Sequence, residues 1–128
     1  PHAGDWTGAE LPRHAVANAA PMRVAQIGPQ KGTLPTTHGF LTLGGRNLVL
    51  SAVKKAQDRD SLIVRFFNPT DQAVEAELSF GEPLAEAYSV SLNEDHRQAL
   101  KIDGGKIRLS AGPKKILSIE CVPARTAK

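Results

Sequence analysis

The first residues of the chain, PHAGDW (residues 1–6), place a histidine, a carboxylate and an indole within one short stretch. His2 and Asp5 are of the types that transfer protons in hydrolases. Trp6, the single tryptophan, offers a flat apolar face on which a pyranose ring can stack, but tryptophan is equally a packing anchor at interfaces. Two polar residues do not make an active site. We therefore regard all three as candidates for a substrate rim or an interface.

Two groups of carboxylates are the second place where acid–base chemistry could occur. Asp58 and Asp60 flank Arg59, and Glu94 precedes Asp95. A glycosidase needs two carboxyl groups at a set separation, one of them with a shifted pKa. Both groups lie in predicted turns, where acidic residues are common because they bond the local backbone. The sequence therefore favours solvated hairpin tips over a catalytic pair.

Other residue types exclude further chemistries. The four histidines form no HxH or HExxH pattern, no GxSxG stretch is present, and Cys121 is the single cysteine. We therefore expect no catalytic residue, metal site or disulfide in this segment. The net charge of +3 comes from scattered basic residues, which argues against nucleic acid as a partner. The lone cysteine favours a reducing, cytoplasmic location, and no apolar run approaches the ~18 residues of a membrane span.

The elements that would position these side chains are mainly strands. From residue 38 onward, short apolar runs recur with turn residues about every 8–12 positions. Apolar and polar residues alternate in AVEAELSF (73–80), as in a strand with one covered face. SLIVRFFN (61–68) is apolar on both faces except at Arg65 and predicts a central strand. We expect an all-β fold, an antiparallel β-sandwich of about seven or eight strands.

Five short stretches predict reversals between strands. Each contains glycine or proline in an order typical of turns, and we interpret each as a hairpin. They are Gly44–Gly45, NPTDQ (68–72), FGEP (80–83), Asp103–Gly105 and AGPK (111–114).

The first 37 residues form an irregular, partly helical segment, because prolines and glycines interrupt them. The alanine-rich residues 13–20 predict two helical turns that Pro21 ends. MRVAQI (22–27) predicts a strand, and residues 28–37 predict a long loop. At the other end, we expect the tail from Pro123 to fray.

Two stretches together resemble the C-terminal region of glycoside hydrolase family 38, the α-mannosidases, especially those of bacteria and archaea. The first is PHAGDW with NAAP (18–21), and the second is LVLSAVKKAQDRDSLIVRFFNPTDQAVEAEL (48–78). Late strands such as AYSVSLNE and PKKILSIE fit the same pattern, so the resemblance covers roughly residues 1–122. The chain departs from it at Ser61, where glycine is frequent, and at Phe67, where tyrosine is frequent.

The resemblance implies that residues 1–128 are a single C-terminal β-sandwich that packs on upstream catalytic and central domains of the same chain. Residues 1–20 would be the segment arriving from those domains, and 123–128 the frayed tail. The family hydrolyses α-mannosidic bonds with retention, using an aspartate nucleophile and a zinc ion. Both would belong to the catalytic domain, and no cofactor is expected in this one.

The resemblance also gives the candidate residues a place. His2, Trp6, Asp58 and Arg59 would matter in loops at the rim of the active site. An exposed apolar patch is expected around residues 6–25, where the upstream domains would pack. The alternative is an independent carbohydrate-binding module that takes a mannose-containing glycan. A free-standing scaffold that binds a partner through a sheet edge is a third hypothesis.

Overall fold

The alternating segments of the sequence form strands of two antiparallel sheets in the computed structural model, which describes residues 1–124. The first sheet contains, in spatial order, β1 (Leu41–Gly44), β4 (Val74–Phe80), β8 (Lys106–Ala111) and β7 (Ile102–Asp103). The second contains β2 (Val49–Lys55), β3 (Leu62–Phe67), β9 (Ile116–Pro123), β5 (Leu84–Val90) and β6 (Gln98–Ala99). The predicted antiparallel β-sandwich is confirmed, with nine strands in the described part of the chain.

The core lies between the two sheets and follows from the period of two. In β4, Ala76 and Leu78 are buried whereas Glu75 is exposed, which confirms the face predicted for residues 73–80. Phe66 on β3 and Ile119 on β9 meet this face from the second sheet. Burial of each of the large side chains, Leu78, Phe66 and Ile119, contributes about 1.5–3 kcal/mol because it removes apolar surface from water.

The strand β3 is central, as its apolar character predicts. It pairs with β2 on one side and β9 on the other. Val64 packs in the core between the sheets, and Ile63 is equally inaccessible on the opposite face of the strand. The outer face of the second sheet is therefore also covered.

Four of the five predicted hairpins are wrong. Only Asp103–Gly105 joins paired neighbours, β7 and β8. The chain instead passes from one sheet to the other at Gly44–Gly45, 68–72, 80–83 and 111–114. Turn residues specify a local reversal, but they do not specify which strand the chain pairs with afterwards.

Gly45 shows why such a corner needs glycine. Its φ is +123°, and a Cβ at this position would lie 2.8 Å from the carbonyl oxygen of Glu75 on β4. A side chain would clash with that backbone atom, so the chain passes this close to β4 only with glycine.

Helix α1 (Leu11–Ala19) confirms the helical turns predicted for residues 13–20. Pro12 lies in its first turn, where a missing N–H costs nothing, and the helix ends immediately before Ala20 and Pro21. The strand predicted for residues 22–27 is wrong. This segment pairs with neither sheet, and the loop predicted for 28–37 is observed.

The expected exposed apolar side chains are present in the first 37 residues, which we call the leading segment. Trp6, Leu11 and Val16 are 37–43% exposed, and Met22 and Val24 are each 96% exposed.

The end of β9 is more ordered than predicted, because Pro123 pairs with Leu84 and the Ala124 amide donates to the Pro83 carbonyl at 2.9 Å. The rest of the predicted frayed tail, 125–128, lies outside the described residues. Within residues 1–124, no helix has both the length and the apolar character needed to cross a bilayer.

Candidate functional site

The two polar candidates of the first stretch do not bond each other. Asp5 instead organises its own turn, because its Oδ1 accepts hydrogen bonds from the Thr7 hydroxyl and the Gly8 amide, each at 2.7 Å. The Gly8 and Thr7 bonds lower the pKa of Asp5. His2 is exposed, and Trp6 lies with its ring centroid 5.9 Å from Lys114 Nζ. The described geometry therefore brings Trp6, but not His2, next to another part of the chain.

The candidates Asp58 and Arg59 lie in different environments in the structure. Asp58 is exposed in the connection between β2 and β3, as expected of a hairpin tip. Arg59 folds back onto the outer face of the second sheet. There its Nε donates to Glu120 Oε1 at 2.8 Å and its terminal nitrogen donates to the Glu94 carbonyl at 2.6 Å.

Glu120 is a buried carboxylate that sequence reasoning missed. Its position alternates with Ile119 and Cys121, so the pattern of β9 predicts a solvent-facing residue, yet its accessibility is 0%. Ser61 Oγ donates to Glu120 Oε1 at 2.7 Å, and Arg97 Nε donates to Oε2 at 2.7 Å. Both oxygens of the carboxylate are therefore occupied.

Glu94 corrects the prediction of a solvated tip. It is only 6% exposed, its Oε2 accepts from the Gln57 amide at 2.8 Å, and its Oε1 pairs with Lys54. The connection after β5 folds over the sheet here, and the Glu94 carboxylate accepts the amide hydrogen of Gln57 from the neighbouring connection. Asp95 stays exposed as predicted.

Together these residues tie two connections onto one face of the sandwich. The connection between β2 and β3 supplies Arg59 and Ser61, and the one between β5 and β6 supplies Glu94 and Arg97. The Arg97 guanidinium also stacks over the Tyr88 ring, 3.8 Å from its centroid. We call this set the outer-face cluster: Arg59, Ser61, Glu94, Arg97 and Glu120.

The electrostatics of the outer-face cluster suit a fixed scaffold. Burial alone would raise the pKa of Glu120, but hydrogen bonds from Ser61, Arg59 and Arg97 outweigh it and leave the pKa below its ordinary value. Lys54 and the Gln57 amide lower the pKa of Glu94. A general acid needs a raised pKa and a proton to give, so neither carboxylate suits that role at neutral pH.

The other reactive groups fit no catalytic role either. Burial raises the pKa of the Cys121 thiol to about 12, so it is no nucleophile at neutral pH. Across residues 1–124, no group of three or more His, Cys, Asp or Glu side chains is placed to hold a metal ion. The described residues therefore do not fit the zinc that the resemblance implies for the enzyme.

A pH dependence of stability follows from these carboxylates. The pKa values of Glu77, Glu94 and Glu120 are lowered from 4.5 in the folded state. A group with a lowered folded pKa stabilises the fold above its unfolded pKa and loses that contribution as pH falls through its folded pKa. We expect the urea midpoint to be constant near neutral pH and to fall below about pH 4.5. A midpoint that stays level or rises down to about pH 3.5 would contradict this.

Two grooves lie near the leading segment. The larger, of about 570 Å³, lies between α1 and the connection from β1 to β2. The smaller, of about 380 Å³, lies beside the corner between β3 and β4 and shares Arg46 and Asn47 with the larger. The smaller groove is lined by Thr7, Arg46, Asn47, Thr70, Asp71, Gln72, Ala73 and Val74.

Comparison with known families identifies the sandwich. The family model described as "Glycosyl hydrolases family 38 C-terminal beta sandwich domain" matches residues 47–119, more than half of the chain. The chain belongs to this family. The description is that of a non-catalytic domain of a family 38 glycosidase, and it confirms the resemblance. No curated protein matches the chain.

The residues matched by the family model include most of the features described above. They begin at Asn47, which lines both grooves, and continue through β2 into β9. Four members of the outer-face cluster lie inside it, and Glu120 follows its last residue. The stretch PHAGDW lies outside the matched residues, so the candidates His2, Asp5 and Trp6 rest on the sequence pattern alone.

Proposed function

We propose that this domain is the non-catalytic C-terminal sandwich of an α-mannosidase and that it packs on and supports the catalytic domain of that enzyme. The retaining hydrolysis of α-mannosidic bonds, with its aspartate nucleophile and zinc, would take place in the catalytic domain. The observation that carries this proposal is the exposed apolar side chains of the leading segment, beside a sandwich whose buried carboxylates, Glu94 and Glu120, are paired with cations.

The exposed side chains support a packing role. Met22 and Val24 are 96% exposed, Ile27 is 74% exposed and Leu34 is 60% exposed. Exposed apolar groups concentrated in one segment mark an interaction site, because burying them removes apolar surface from water. The catalytic and central domains of the same enzyme are the partners that the family offers for this surface.

The carboxylates of the sandwich support a non-catalytic role for this domain. Glu120 and Glu94 are ionised and fully paired, and Glu77 on the outer face of the first sheet bonds Lys106 and Arg108. The pKa values of Asp5, Glu77, Glu94 and Glu120 are all lowered, whereas a glycosidase site combines a carboxyl group of raised pKa with an ionised one.

The test of the proposal is hydrolysis of an aryl α-mannoside. We expect the pure 128-residue chain to show no turnover above buffer, with or without zinc, while an intact family 38 α-mannosidase serves as the positive control. Turnover by the pure chain would overturn the non-catalytic assignment.

The supporting role is tested in the same assay with the catalytic portion of an α-mannosidase supplied separately. We expect the added chain to bind that portion and to stabilise its activity on heating. Replacing Met22 and Val24 with serine should weaken this binding, whereas Thr36→Ser, in the same exposed segment, should not. Equal binding by all three chains would refute packing through this surface.

A further inference from the structure

Residues 22–27, MRVAQI, have a composition typical of strands but pair with no strand in residues 1–124. Val24 and Ile27 are β-branched, and the segment contains neither glycine nor proline. Side chains of an extended chain alternate between two faces, so Met22 and Val24 share one face and Ala25 and Ile27 share the other. Each face therefore offers apolar side chains to a partner. We call residues 22–27 the pairing segment.

The backbone of this region is free to pair. Every residue from 21 to 37 is exposed, and no hydrogen bond joins the backbone of this stretch to another group in residues 1–124. Solvent satisfies such backbone groups, but it leaves the side chains of Met22 and Val24 uncovered, each 96% exposed. A strand edge that pairs with this backbone and covers the apolar side chains meets both requirements at once.

The end strands of the two described sheets do not suit the pairing segment. β1 has four residues and β6 and β7 have two each, so all three are shorter than the six residues from 22 to 27. β2 has seven residues, but it carries Lys54 and Lys55, and lysines on an edge strand oppose the addition of another strand. A second copy of this chain presents the same four strands. The matching edge therefore belongs to another domain.

The charge of the region specifies that edge further. Residues 20–37 contain Arg23 and Lys31 and no acidic residue. Opposite charges on paired strands stabilise a sheet, whereas like charges placed opposite each other destabilise it. Complementary charge also raises the rate at which two surfaces associate. The matching edge therefore carries acidic side chains near the position that Arg23 takes.

We propose that residues 22–27 add as a strand to an open, acidic edge of a β-sheet in the upstream part of the same enzyme. This inference rests on the supporting role proposed above and states how the domain attaches. Main-chain hydrogen bonds would contribute affinity, and the alternate apolar side chains would fix the register.

The first test is amide hydrogen exchange of the 128-residue chain, alone and with the separately supplied catalytic portion of an α-mannosidase, whose fold is checked by circular dichroism. At a partner concentration about 100 times the Kd, about 1% of the chain stays free, so exchange of paired amides should slow about a hundredfold. In an added strand, the N–H groups of alternate residues point to the partner. Protection should therefore recur at every second residue of the pairing segment.

Proline substitutions separate strand pairing from apolar packing. Proline has no N–H, and an edge strand tolerates it only where that N–H would face solvent. Ala25→Pro and Gln26→Pro change neighbouring residues and remove no large apolar side chain. We expect one of them to weaken binding about tenfold and the other to bind as the unchanged chain does. Gln30→Pro, at an exposed position outside the pairing segment, is the matched control and should have no effect.

Charge variants test the acidic edge. Arg23→Glu should weaken binding about tenfold at low salt, whereas Arg23→Lys keeps the charge and should bind nearly as well as the unchanged chain. Salt screens exposed charges, so the difference between these two variants should shrink when the salt concentration is raised to about 1 M.

The outcomes distinguish this inference from the supporting role. Alternating protection together with loss of binding in one proline variant supports the added strand. Binding without protection of residues 22–27, or equal binding by Ala25→Pro and Gln26→Pro, would overturn the strand and leave the packing role in place. Equal binding by Arg23→Glu and Arg23→Lys would overturn the acidic edge. No binding at all would refute the supporting role, and this inference with it.

Discussion

Glutamine in place of Glu120 is expected to lower the free energy of unfolding by about 2–4 kcal/mol. The substitution keeps the size of the side chain and removes its charge. Arg59 and Arg97 then lose their shared carboxylate, and one glutamine NH₂ group faces donors where an acceptor stood. Because the side chain is inaccessible, water cannot replace what is lost. Urea denaturation of the two proteins at neutral pH measures the difference.

Glu77→Gln is the matched control for this prediction. Glu77 also bonds two cations, Lys106 at 2.7 Å and Arg108 at 2.9 Å, but its side chain is 37% exposed. Ion pairs in contact with solvent contribute little, so we expect a loss below about 1 kcal/mol. Equal losses at the two positions would show that burial does not determine the strength of the outer-face cluster.

The substitution Asn68→Asp is expected to cost about 3–5 kcal/mol. Asn68 is inaccessible, and its amide nitrogen donates to the carbonyls of Gln72, Ala111 and Gly112 at 2.7–3.1 Å. A carboxylate cannot donate to these carbonyls, and its charge would lie against their oxygens. Thermal and urea unfolding of the variant measure the loss.

The control for Asn68 is Asn93→Asp, the same change at an exposed position in the connection after β5. We expect its effect to stay within about 0.5 kcal/mol. A small loss at Asn68, comparable with that at Asn93, would mean that the donated bonds do not stabilise the two corners. Asn68 Oδ1 also accepts from the Thr70 amide and hydroxyl, so this side chain orders the corner between β3 and β4.

These predictions concern different tasks of one domain. The outer-face cluster holds two connections against the second sheet, and Asn68 holds the corners at the opposite end. The exposed leading segment lies outside both sets of contacts. Stability and packing on a partner can therefore be altered independently in this family 38 domain.

Much of the local structure follows from the sequence alone. Alternation of apolar and polar residues in 73–80 is enough to define β4 and its buried face. The continuous apolar character of β3 predicts its central position. The alanine-rich residues before Pro21 predict α1 and the place where it ends. These features depend on neighbours within a few residues, which is the range over which a sequence pattern carries information.

Strand pairing and burial depend on residues far apart in the chain, so only the tertiary structure decides them. Arg59 and Glu120 are 61 positions apart, and no periodicity links them. The pattern of β9 places Glu120 on the outer face correctly, but its burial comes from two connections that fold over that face. The smaller groove likewise joins residue 7 with 46–47 and 70–72. The sequence determined most of the strands and the family, whereas packing between distant segments created the outer-face cluster and the smaller groove.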